Sequence, residues 1–336
     1  MTQELEHQCV TVVGAGTFGT AVAWMLTQAG HTVRMWCYET SDADYINATG
    51  RNPIFLPNLR LTDVVASSEM PVAVEGADAV IIVTPSFAVR AAAQALSECL
   101  PEDTPVAVLS KGLDATSGTT LYETVASLLG NEGRLCVLAG PNHAEEIAEG
   151  SYAGAVVASR NPETARYFQR LLSRKTFRLY TADDPIGVGL CAASKNVIAI
   201  ACGMARGMGQ GDNTISLLMT RGLAEMSRLV VACGGNAATC LGLAGVGDLN
   251  TTCNSPHSRN GSYGEAFARE GISVADYEAR RGMVVEGAHS IDALLELGAR
   301  KGVELPIMQA VKDLIDGRIA LTEIADYLMN RALKAE

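Results

Sequence analysis

Two lysines stand where a purely structural chain would gain little from a positive charge. Lys111 lies just after an apolar run in "AVLSKGLD", and Lys195 interrupts a long apolar helical pattern in "LCAASKNVIAIA". A buried lysine is unfavourable unless it is paired or used chemically. Each also has an ordinary interpretation, Lys111 as a solvated loop residue and Lys195 as a side chain that reaches the surface. The two positions are candidates for transferring a proton or holding an anion.

A third stretch, "GLAGVGDLNTTCNSPHSRN", places Asp248 among glycines and apolar residues and ends in Ser258, Arg259 and Asn260. A helical pattern follows. A hydroxyl, an amide and free backbone N–H groups at a helix start, beside an arginine, suit a phosphate group. An ordinary capped loop would have a similar composition. The stretch therefore predicts a phosphate site, and Asp248 could orient Lys195 or hold a hydroxyl of the ligand.

The segment "GAGTFG" contains Gly14, Gly16 and Gly19 in a G-x-G-x-x-G spacing, after an apolar strand and at the start of a helical pattern. The first glycine permits a tight turn, the second lets the backbone approach a pyrophosphate, and the third allows close helix–strand packing. The helix start then offers free N–H groups to the phosphates. A glycine turn without a ligand is the alternative, but the strand–helix–strand context favours NAD or NADP.

The end of the next predicted strand bears on the choice between these two cofactors. Glu39 lies twenty residues after Gly19, close to where an acid binds the ribose hydroxyls of NAD. Tyr38 could stack on adenine or belong to the core. Arg34 lies within the strand, too far from its end to be predicted as a ligand of the NADP phosphate. The choice between NAD and NADP stays open.

The elements that must position these residues change in kind along the chain. In the first half, apolar strands alternate with helical patterns, which predicts a doubly wound parallel α/β sheet. The predicted strands are Cys9–Val13, Thr32–Trp36, Asp78–Val83, Val106–Leu109, Leu135–Leu138, Gly154–Ala158 and Phe177–Tyr180, and the predicted helices are Thr20–Gln28, Ala88–Glu98, Thr119–Leu129 and Pro162–Leu172.

From Gly187 onward the sequence contains no convincing strand and predicts an all-helical second domain. Its long apolar-periodic stretches are Leu190–Gly203, Ser216–Cys233, Ile291–Lys301 and Pro306–Leu314. We expect a domain of residues 1–187 and a second of residues 188–336, divided beside the turn at residues 183–185. The apolar helices could also contribute to a homodimer interface.

Composition excludes several function classes. The 336 residues carry a formal net charge of −11, which disfavours non-specific binding to nucleic acid or to an anionic membrane. Without an uninterrupted apolar run of roughly 18 residues, we expect no membrane-spanning helix. Nine scattered cysteines without a C-x-x-C pair indicate reduced thiols in the cytoplasm, and the five histidines show no metal-binding spacing.

Taken together, the motifs resemble those of bacterial-type NAD(P)-dependent glycerol-3-phosphate dehydrogenases. They occur in that family's order and span almost the whole chain. The matching stretches are Gly14–Ala21, Ser110–Gly112, Leu138–Asn142, Ser194–Asn196, Gly211–Met226, Gly245–Leu249, Ser258–Asn260 and Val284–Gly287. The sequence departs from the family at Asn142, where serine is usual, and at Tyr38, where a basic residue is frequent.

The resemblance implies a Rossmann domain followed by an all-α domain of the 6-phosphogluconate dehydrogenase C-terminal type. It implies reversible reduction of dihydroxyacetone phosphate to sn-glycerol 3-phosphate for glycerophospholipid synthesis. The cofactor contacts that it implies are Thr17, Phe18, Lys111, Ala144, Arg259, Val284 and Glu286. The substrate contacts that it implies are Lys111, Gly140, Asn142, Lys195, Asp248, Ser258, Arg259 and Asn260.

Reduction of a ketone needs a hydride on carbon and a proton on oxygen, and we predict Lys195 as the catalytic proton donor. Burial and the nearby Lys111 would lower the pKa of Lys195, whereas Asp248 would raise it, so the net direction is open. A related two-domain reductase of 2-keto acids such as ketopantoate is the enzyme alternative, with Arg259 on a carboxylate. A dinucleotide-sensing protein without catalysis is the non-enzyme alternative.

Overall fold

The computed structural model describes residues 6–330, so the outermost ends of both predicted domains lie outside the described residues. The strands are β1 Cys9–Val13, β2 Thr32–Trp36, β3 Val64–Ser67, β4 Ala79–Ile82, β5 Val106–Val108, β6 Leu135–Ala139, β7 Ala153–Ala158 and β8 Phe177–Ala182. The helices are α1 Thr17–Gln28, α2 Thr40–Thr49, α3 Met70–Val74, α4 Val89–Ser97, α5 Leu121–Leu129, α6 Ala144–Ala148, α7 Pro162–Leu172, α8 Pro185–Gly207, α9 Asp212–Ala232, α10 Ala237–Cys240, α11 Asp248–Asn254, α12 Arg259–Glu270, α13 Val274–Arg281, α14 Glu286–Lys301, α15 Pro306–Ile315 and α16 Ile324–Met329. A π-helical turn occupies Leu243–Gly247.

The eight strands form one sheet in the order β3-β2-β1-β4-β5-β6-β7-β8. The first six strands are parallel and have the Rossmann order, whose direction reverses between β1 and β4. This confirms the predicted doubly wound class. Parallel α/β sheets bind ligands outside the carboxyl ends of the strands at such a reversal point.

The expectation of an all-parallel sheet was wrong at β7, which pairs antiparallel with β6. The connection between these strands holds only α6, a five-residue helix that rises about 7.5 Å. A helix this short cannot carry the chain back along β6, so the chain returns as β7 itself. β8 then pairs parallel with β7.

Both faces of the sheet are buried, which explains why most strand sequences lack alternation. One face, with Val10 and Val12 of β1, packs against α1 and α7. The other face, with Val80 and Ile82 of β4, shares a core with α4, α5 and the long helix α8. The second core therefore joins the sheet to the helical half.

Helix α8 is the centre of the helical half and packs against α9, α11, α12 and α14. It begins at Pro185, where the Asp184 carboxylate accepts hydrogen bonds from the N–H of Gly187 and from the N–H of Asn236, both at 2.8 Å. Aspartate as the N-cap and proline in the first turn together favour a helix start at this point. This start is five residues before the apolar periodicity predicted it.

The backbones of α8 and α12 are in direct contact. A Cβ atom on Gly203 would lie 2.0 Å from the Gly261 carbonyl oxygen, and one on Gly264 would lie 2.2 Å from the Ile200 carbonyl oxygen. Larger residues at these glycines would push α12 away from α8. The close crossing therefore fixes where α12 begins relative to α8.

By length and a hydropathy of 1.6, α8 could cross a membrane, but its apolar window is wholly buried by protein. A helix that is apolar all round and buried by protein is typical of a protein core.

Strand β3 and several short helices were absent from the sequence prediction. β3 is a four-residue strand at the sheet edge, and its Val65 is more than half exposed. Such a segment is too short for a periodic signal, and its pairing with β2 determines its conformation.

Candidate active site

The glycine loop between β1 and α1 has the geometry of a dinucleotide cradle. Gly14 has φ +121°, and a Cβ there would lie 3.0 Å from the backbone of Thr84. A Cβ on Gly19 would lie 2.0 Å from the Gly14 carbonyl oxygen, so this position needs glycine for packing. A Cβ on Gly16, in contrast, would meet no atom within 4 Å.

The start of α1 is open to a ligand. Gly16 is its N-cap and supplies no side-chain hydrogen bond, and Thr17 and Phe18 form the first turn, both partly exposed. Uncapped N–H groups at the start of a twelve-residue helix, in front of open space, suit a pyrophosphate. These residues fit NAD or NADP, whose nicotinamide supplies or accepts the hydride.

The end of β2 presents the residues expected near the adenosine. Glu39 is the exposed N-cap of α2, and Tyr38 is 82% exposed, which excludes a core role for its ring. The Tyr38 ring contacts Trp36 edge-on, at 6.3 Å between centroids. Arg34 donates to the Val72 carbonyl oxygen at 2.9 Å, so its guanidinium is held within the domain.

At the carboxyl ends of β5 and β6 the structure brings together Lys195, Asp248 and Lys111, hereafter the charge cluster. Lys195 Nζ donates to Asp248 Oδ1 at 2.6 Å and to Thr252 Oγ1 at 2.7 Å. Lys111 Nζ donates to the other carboxylate oxygen, Asp248 Oδ2, at 3.0 Å and to Asn142 Oδ1 at 2.9 Å. One carboxylate therefore joins two ammonium groups from different halves of the chain.

The surroundings of Lys195 in the charge cluster determine in which direction its pKa is shifted. Burial is the main cause that lowers the pKa of Lys195, and Lys111 lowers it further, so that it reaches about 7 despite the opposing Asp248. Burial acts to raise the pKa of Asp248, but Lys111 and Lys195 hold it below its usual range. Near neutral pH, Asp248 is ionised and Lys195 can exchange a proton.

Local structure explains the glycine-rich approach to Asp248. A Cβ on Gly245 would lie 2.1 Å from the Cys240 carbonyl oxygen, and the π-helical turn Leu243–Gly247 ends immediately before Asp248. Such turns are frequent at functional sites. Asp248 then begins α11 and Thr252 follows one turn later on the same face, where it accepts from Lys195.

The segment after β6 forms one wall of the charge cluster. Gly140 has φ +157°, and a Cβ there would lie 2.6 Å from Cα of Ala155. Its carbonyl oxygen accepts from Lys111 Nζ at 3.4 Å. Asn142 is buried and accepts from the same ammonium. Ala144, also buried, is the first residue of α6.

The predicted phosphate residues, Ser258, Arg259 and Asn260, lie at the start of α12 and are hereafter the phosphate loop. Ser258 Oγ accepts from the N–H of Gly261 at 3.1 Å, so it caps the helix. Asn260 Oδ1 accepts from the N–H of Gly287 at 2.9 Å, which ties α12 to the start of α14. Arg259 is exposed, and its guanidinium has no hydrogen bond or ion pair within residues 6–330.

Glu286 connects the helical half to the sheet. Its carboxylate accepts from Ser86 Oγ at 2.5 Å, and Ser86 follows β4. Burial raises the pKa of Glu286, opposed by Ser86 and Arg259. Val284 lies two residues earlier and is half-buried. The hydrogen bond between Ser86 and Glu286 therefore joins the two halves of the chain.

Sequence reasoning missed three residues that support the site. Thr252 could have been found from its spacing of four residues after Asp248. Asn52 donates to the Ala15 carbonyl oxygen at 2.8 Å and so holds the glycine loop, but no sequence signal links the two. His143 follows Asn142, and the charges of Lys195, Lys111 and Asp248 act on its ring. Among residues 6–330 the structure contains no group of three or more metal-ligating side chains.

A glycine cradle at the reversal point of a Rossmann sheet, on the same side of the sheet as a buried lysine with a lowered pKa, is typical of a pyridine-nucleotide-dependent dehydrogenase with a helical second half. Comparison with known proteins agrees. Residues 9–165 match the N-terminus, and residues 184–326 the C-terminus, of the NAD-dependent glycerol-3-phosphate dehydrogenase family. The chain belongs to this family.

Individual relatives are similar over nearly their full length. A glycerol-3-phosphate dehydrogenase [NAD(P)+] from Moorella thermoacetica is 41% identical over 307 residues, which cover 90% of each chain. The crystal structure of a glycerol-3-phosphate dehydrogenase from Coxiella burnetii is 33% identical with a TM-score of 0.92, covering 97% of this chain and 99% of that one. A ketopantoate reductase from Ralstonia eutropha has a TM-score of 0.58 at 19% identity, with 95% and 98% covered, and shares the fold alone.

Proposed function

We propose that the chain catalyses reversible NAD(P)-dependent reduction of dihydroxyacetone phosphate to sn-glycerol 3-phosphate. The observation that carries this proposal is the charge cluster, in which the buried Lys195 has a pKa of about 7 beside the dinucleotide-binding edge of the sheet. Family membership supports the same substrate.

In this proposal Lys195 protonates the carbonyl oxygen during reduction and accepts the proton back during oxidation. Asp248 orients the Lys195 ammonium through the 2.6 Å hydrogen bond, and Thr252 fixes it from a second side. Lys111 adds positive charge that stabilises the developing alkoxide. Its contacts with Gly140 and Asn142 support the predicted substrate roles of both residues.

The phosphate of the substrate would lie at the start of α12. Arg259 has an unpaired guanidinium there, and the helix start adds a partial positive charge. Ser258 and Asn260 shape this site through the cap and the link to α14. Binding of the phosphate positions the carbonyl against the nicotinamide. Thr17, Phe18, Ala144, Val284 and Glu286 complete the proposed cofactor contacts.

The test is an absorbance assay of purified protein with dihydroxyacetone phosphate and reduced cofactor, with ketopantoate in a parallel cuvette. We expect oxidation of the cofactor with dihydroxyacetone phosphate alone. Turnover of ketopantoate instead would assign the chain to the keto-acid reductases. Tight cofactor binding without turnover of either substrate would support a sensing protein.

We further propose that NADH is preferred over NADPH. Glu39 is an exposed carboxylate at the end of β2, where it would repel the phosphate of NADPH, and Arg34 is held elsewhere. Glu39→Ser removes the repulsion and is expected to raise kcat/KM for NADPH relative to NADH by about tenfold. Asp42→Asn, one turn further along α2, is the matched control and should change the ratio less.

We also propose that the protein works in the cytoplasm and supplies glycerophospholipid synthesis, and that it forms a homodimer. All nine cysteines are free thiols, two of them 3.7 Å apart, which suits a reducing compartment. The division into residues 1–187 and 188–336 remains part of the proposal. Cell fractionation tests the proposed location in the cytoplasm. Light scattering of the purified protein tests whether it forms a homodimer.

A further inference from the structure

Two neighbouring buried polar atoms at the active site have no hydrogen-bond partner in residues 6–330: Asn142 Nδ2 and His143 Nε2. A buried donor or acceptor without a partner costs roughly 1–3 kcal/mol, so native proteins rarely leave one unexplained. Asn142 already uses its oxygen on Lys111. Asn142 Nδ2 and His143 Nε2 therefore have hydrogen-bonding capacity that no described residue uses.

The surroundings of His143 place it in the site. It precedes α6 at the carboxyl end of β6, and Lys195, Lys111 and Asp248 all act electrostatically on its ring. The ring lies 6.1 Å from the ring of His257, the residue directly before the phosphate loop. His143 thus lies within electrostatic reach of the charge cluster and close to the residue that precedes the phosphate loop.

The charge state of the His143 ring limits the kinds of ligand group that it can bind. Burial lowers the pKa of His143 to about 4, with Lys195 and Lys111 contributing in the same direction. The imidazole is therefore neutral at physiological pH, with one N–H donor and one acceptor nitrogen. A neutral ring is a poor partner for a phosphate dianion and a good partner for a hydroxyl, which also donates and accepts.

The proposed substrate has three polar parts, and two already have partners. The phosphate matches Arg259 at the start of α12, and the carbonyl oxygen matches Lys195. The terminal hydroxyl, which is uncharged, has none. The unpaired atoms of Asn142 and His143 adjoin the cluster that holds the carbonyl, which is one carbon away from that hydroxyl.

We propose, on the basis of the proposed function, that His143 is a specificity-determining residue that hydrogen-bonds the terminal hydroxyl of dihydroxyacetone phosphate through Nε2. Asn142 Nδ2 donates to the same hydroxyl. The pair distinguishes this substrate from otherwise identical phosphorylated ketones in which a methyl group replaces the hydroxymethyl group.

The experiment compares dihydroxyacetone phosphate with acetol phosphate, which has a methyl group in place of the terminal hydroxymethyl group. For the unaltered protein we expect kcat/KM to favour dihydroxyacetone phosphate at least tenfold, because acetol phosphate leaves both buried groups unpaired. His143→Phe keeps a ring of similar size without hydrogen bonding. It should reduce that preference by about tenfold, mainly through a lower kcat/KM for dihydroxyacetone phosphate.

Two further variants make the result decisive. His143→Gln retains a donor and an acceptor and should recover part of the preference. His257→Phe removes the neighbouring exposed imidazole and should leave the preference unchanged. Thermal melting of each variant identifies unfolding, in which case the His143→Gln ratio decides.

An equal loss on both substrates in His143→Phe would mean that the ring only packs, and would overturn the inference. An unchanged preference would overturn it as well. Either result leaves the proposed function intact, because the unaltered protein still reduces dihydroxyacetone phosphate. Absence of that reduction in the unaltered protein would overturn both.

Discussion

The dinucleotide cradle and the charge cluster lie at the same edge of the sheet but are built in different ways. The cradle is formed from one continuous segment, β1 to α1, and works through backbone N–H groups and absent side chains. The charge cluster joins Lys111, which follows strand β5, to residues from the two helices α8 and α11, and works through buried side-chain charge. Added atoms in such a cradle take up space for the ligand or for packing, whereas the loss of a charge from such a cluster changes its proton chemistry.

The largest effect is expected from the charge cluster. Lys195→Ala removes the proposed proton donor and should lower kcat by about 10²–10⁴-fold. Cofactor binding, measured by quenching of protein fluorescence, should change little because the cradle is separate. Near-normal turnover in this variant would show that another group delivers the proton.

Two glycine variants distinguish a glycine that leaves room for the cofactor from a glycine that is needed for packing of the protein. Gly16→Ala adds a Cβ that meets no protein atom within 4 Å, so the melting temperature should be unchanged. KM for the nicotinamide cofactor should rise about tenfold or more, because the methyl group occupies space proposed for the pyrophosphate.

Gly19→Ala is the matched control, since its Cβ would lie 2.0 Å from the Gly14 carbonyl oxygen. This variant should unfold several degrees lower, by an overpacking cost of about 1–3 kcal/mol. If Gly16→Ala destabilised the fold and bound cofactor normally, the distinction between the two glycines would be wrong.

The pH profile tests how the cluster tunes its lysine. Reduction needs protonated Lys195, so kcat/KM for dihydroxyacetone phosphate should fall as pH rises through about 7. Oxidation of glycerol 3-phosphate should rise over the same range. Lys111→Met removes a charge that lowers the pKa of Lys195, so the midpoint should move to higher pH even where overall activity drops.

Asp248→Asn should shift the pH profile in the opposite direction. The midpoint of the profile should move to lower pH, because Asp248 raises the pKa of Lys195. Profiles that keep the same midpoint in both variants would show that Lys195 is not the titrating group.

The smallest effect on activity is expected from a carboxylate that resembles Asp248 but lies outside the cluster. Asp114, in the loop after Lys111, pairs with Arg90 at 2.6 Å. Burial acts to raise the pKa of Asp114, but hydrogen bonds from Arg90 and Ser117 lower it to about 2. This carboxylate therefore stabilises the fold above its unfolded pKa and loses that contribution as pH falls through about 2.

Asp114→Asn should lower the melting temperature by a few degrees at neutral pH, and the difference from the parent protein should narrow as pH falls from about 4 to about 2. The activity of the folded variant should stay within a few-fold of the parent. A difference in melting temperature that is independent of pH would assign the effect to packing rather than to charge.

The amino-acid sequence by itself determined the features that depend on neighbouring residues. The apolar strands predicted the buried sheet, the spacing of Gly14, Gly16 and Gly19 predicted the cradle, and apolar periodicity predicted the long helices. The sheet, the strand–glycine loop–helix arrangement and the long helices are confirmed, because hydrophobic period and backbone freedom are properties of contiguous residues. Cofactor binding by the three glycines stays a prediction. The same reasoning singled out both lysines, since a charge in an apolar context is visible without a structure.

Tertiary structure decided what depends on residues far apart in the chain. It made β7 antiparallel, because α6 is too short to return the chain, and it excluded Tyr38 from the core. It placed Asp248 between Lys195 and Lys111 and set the net direction of the lysine pKa, which follows from burial and distance together. It also brought the His143 ring, whose Nε2 has no partner in residues 6–330, within electrostatic reach of this cluster, an arrangement that no spacing in the sequence encodes.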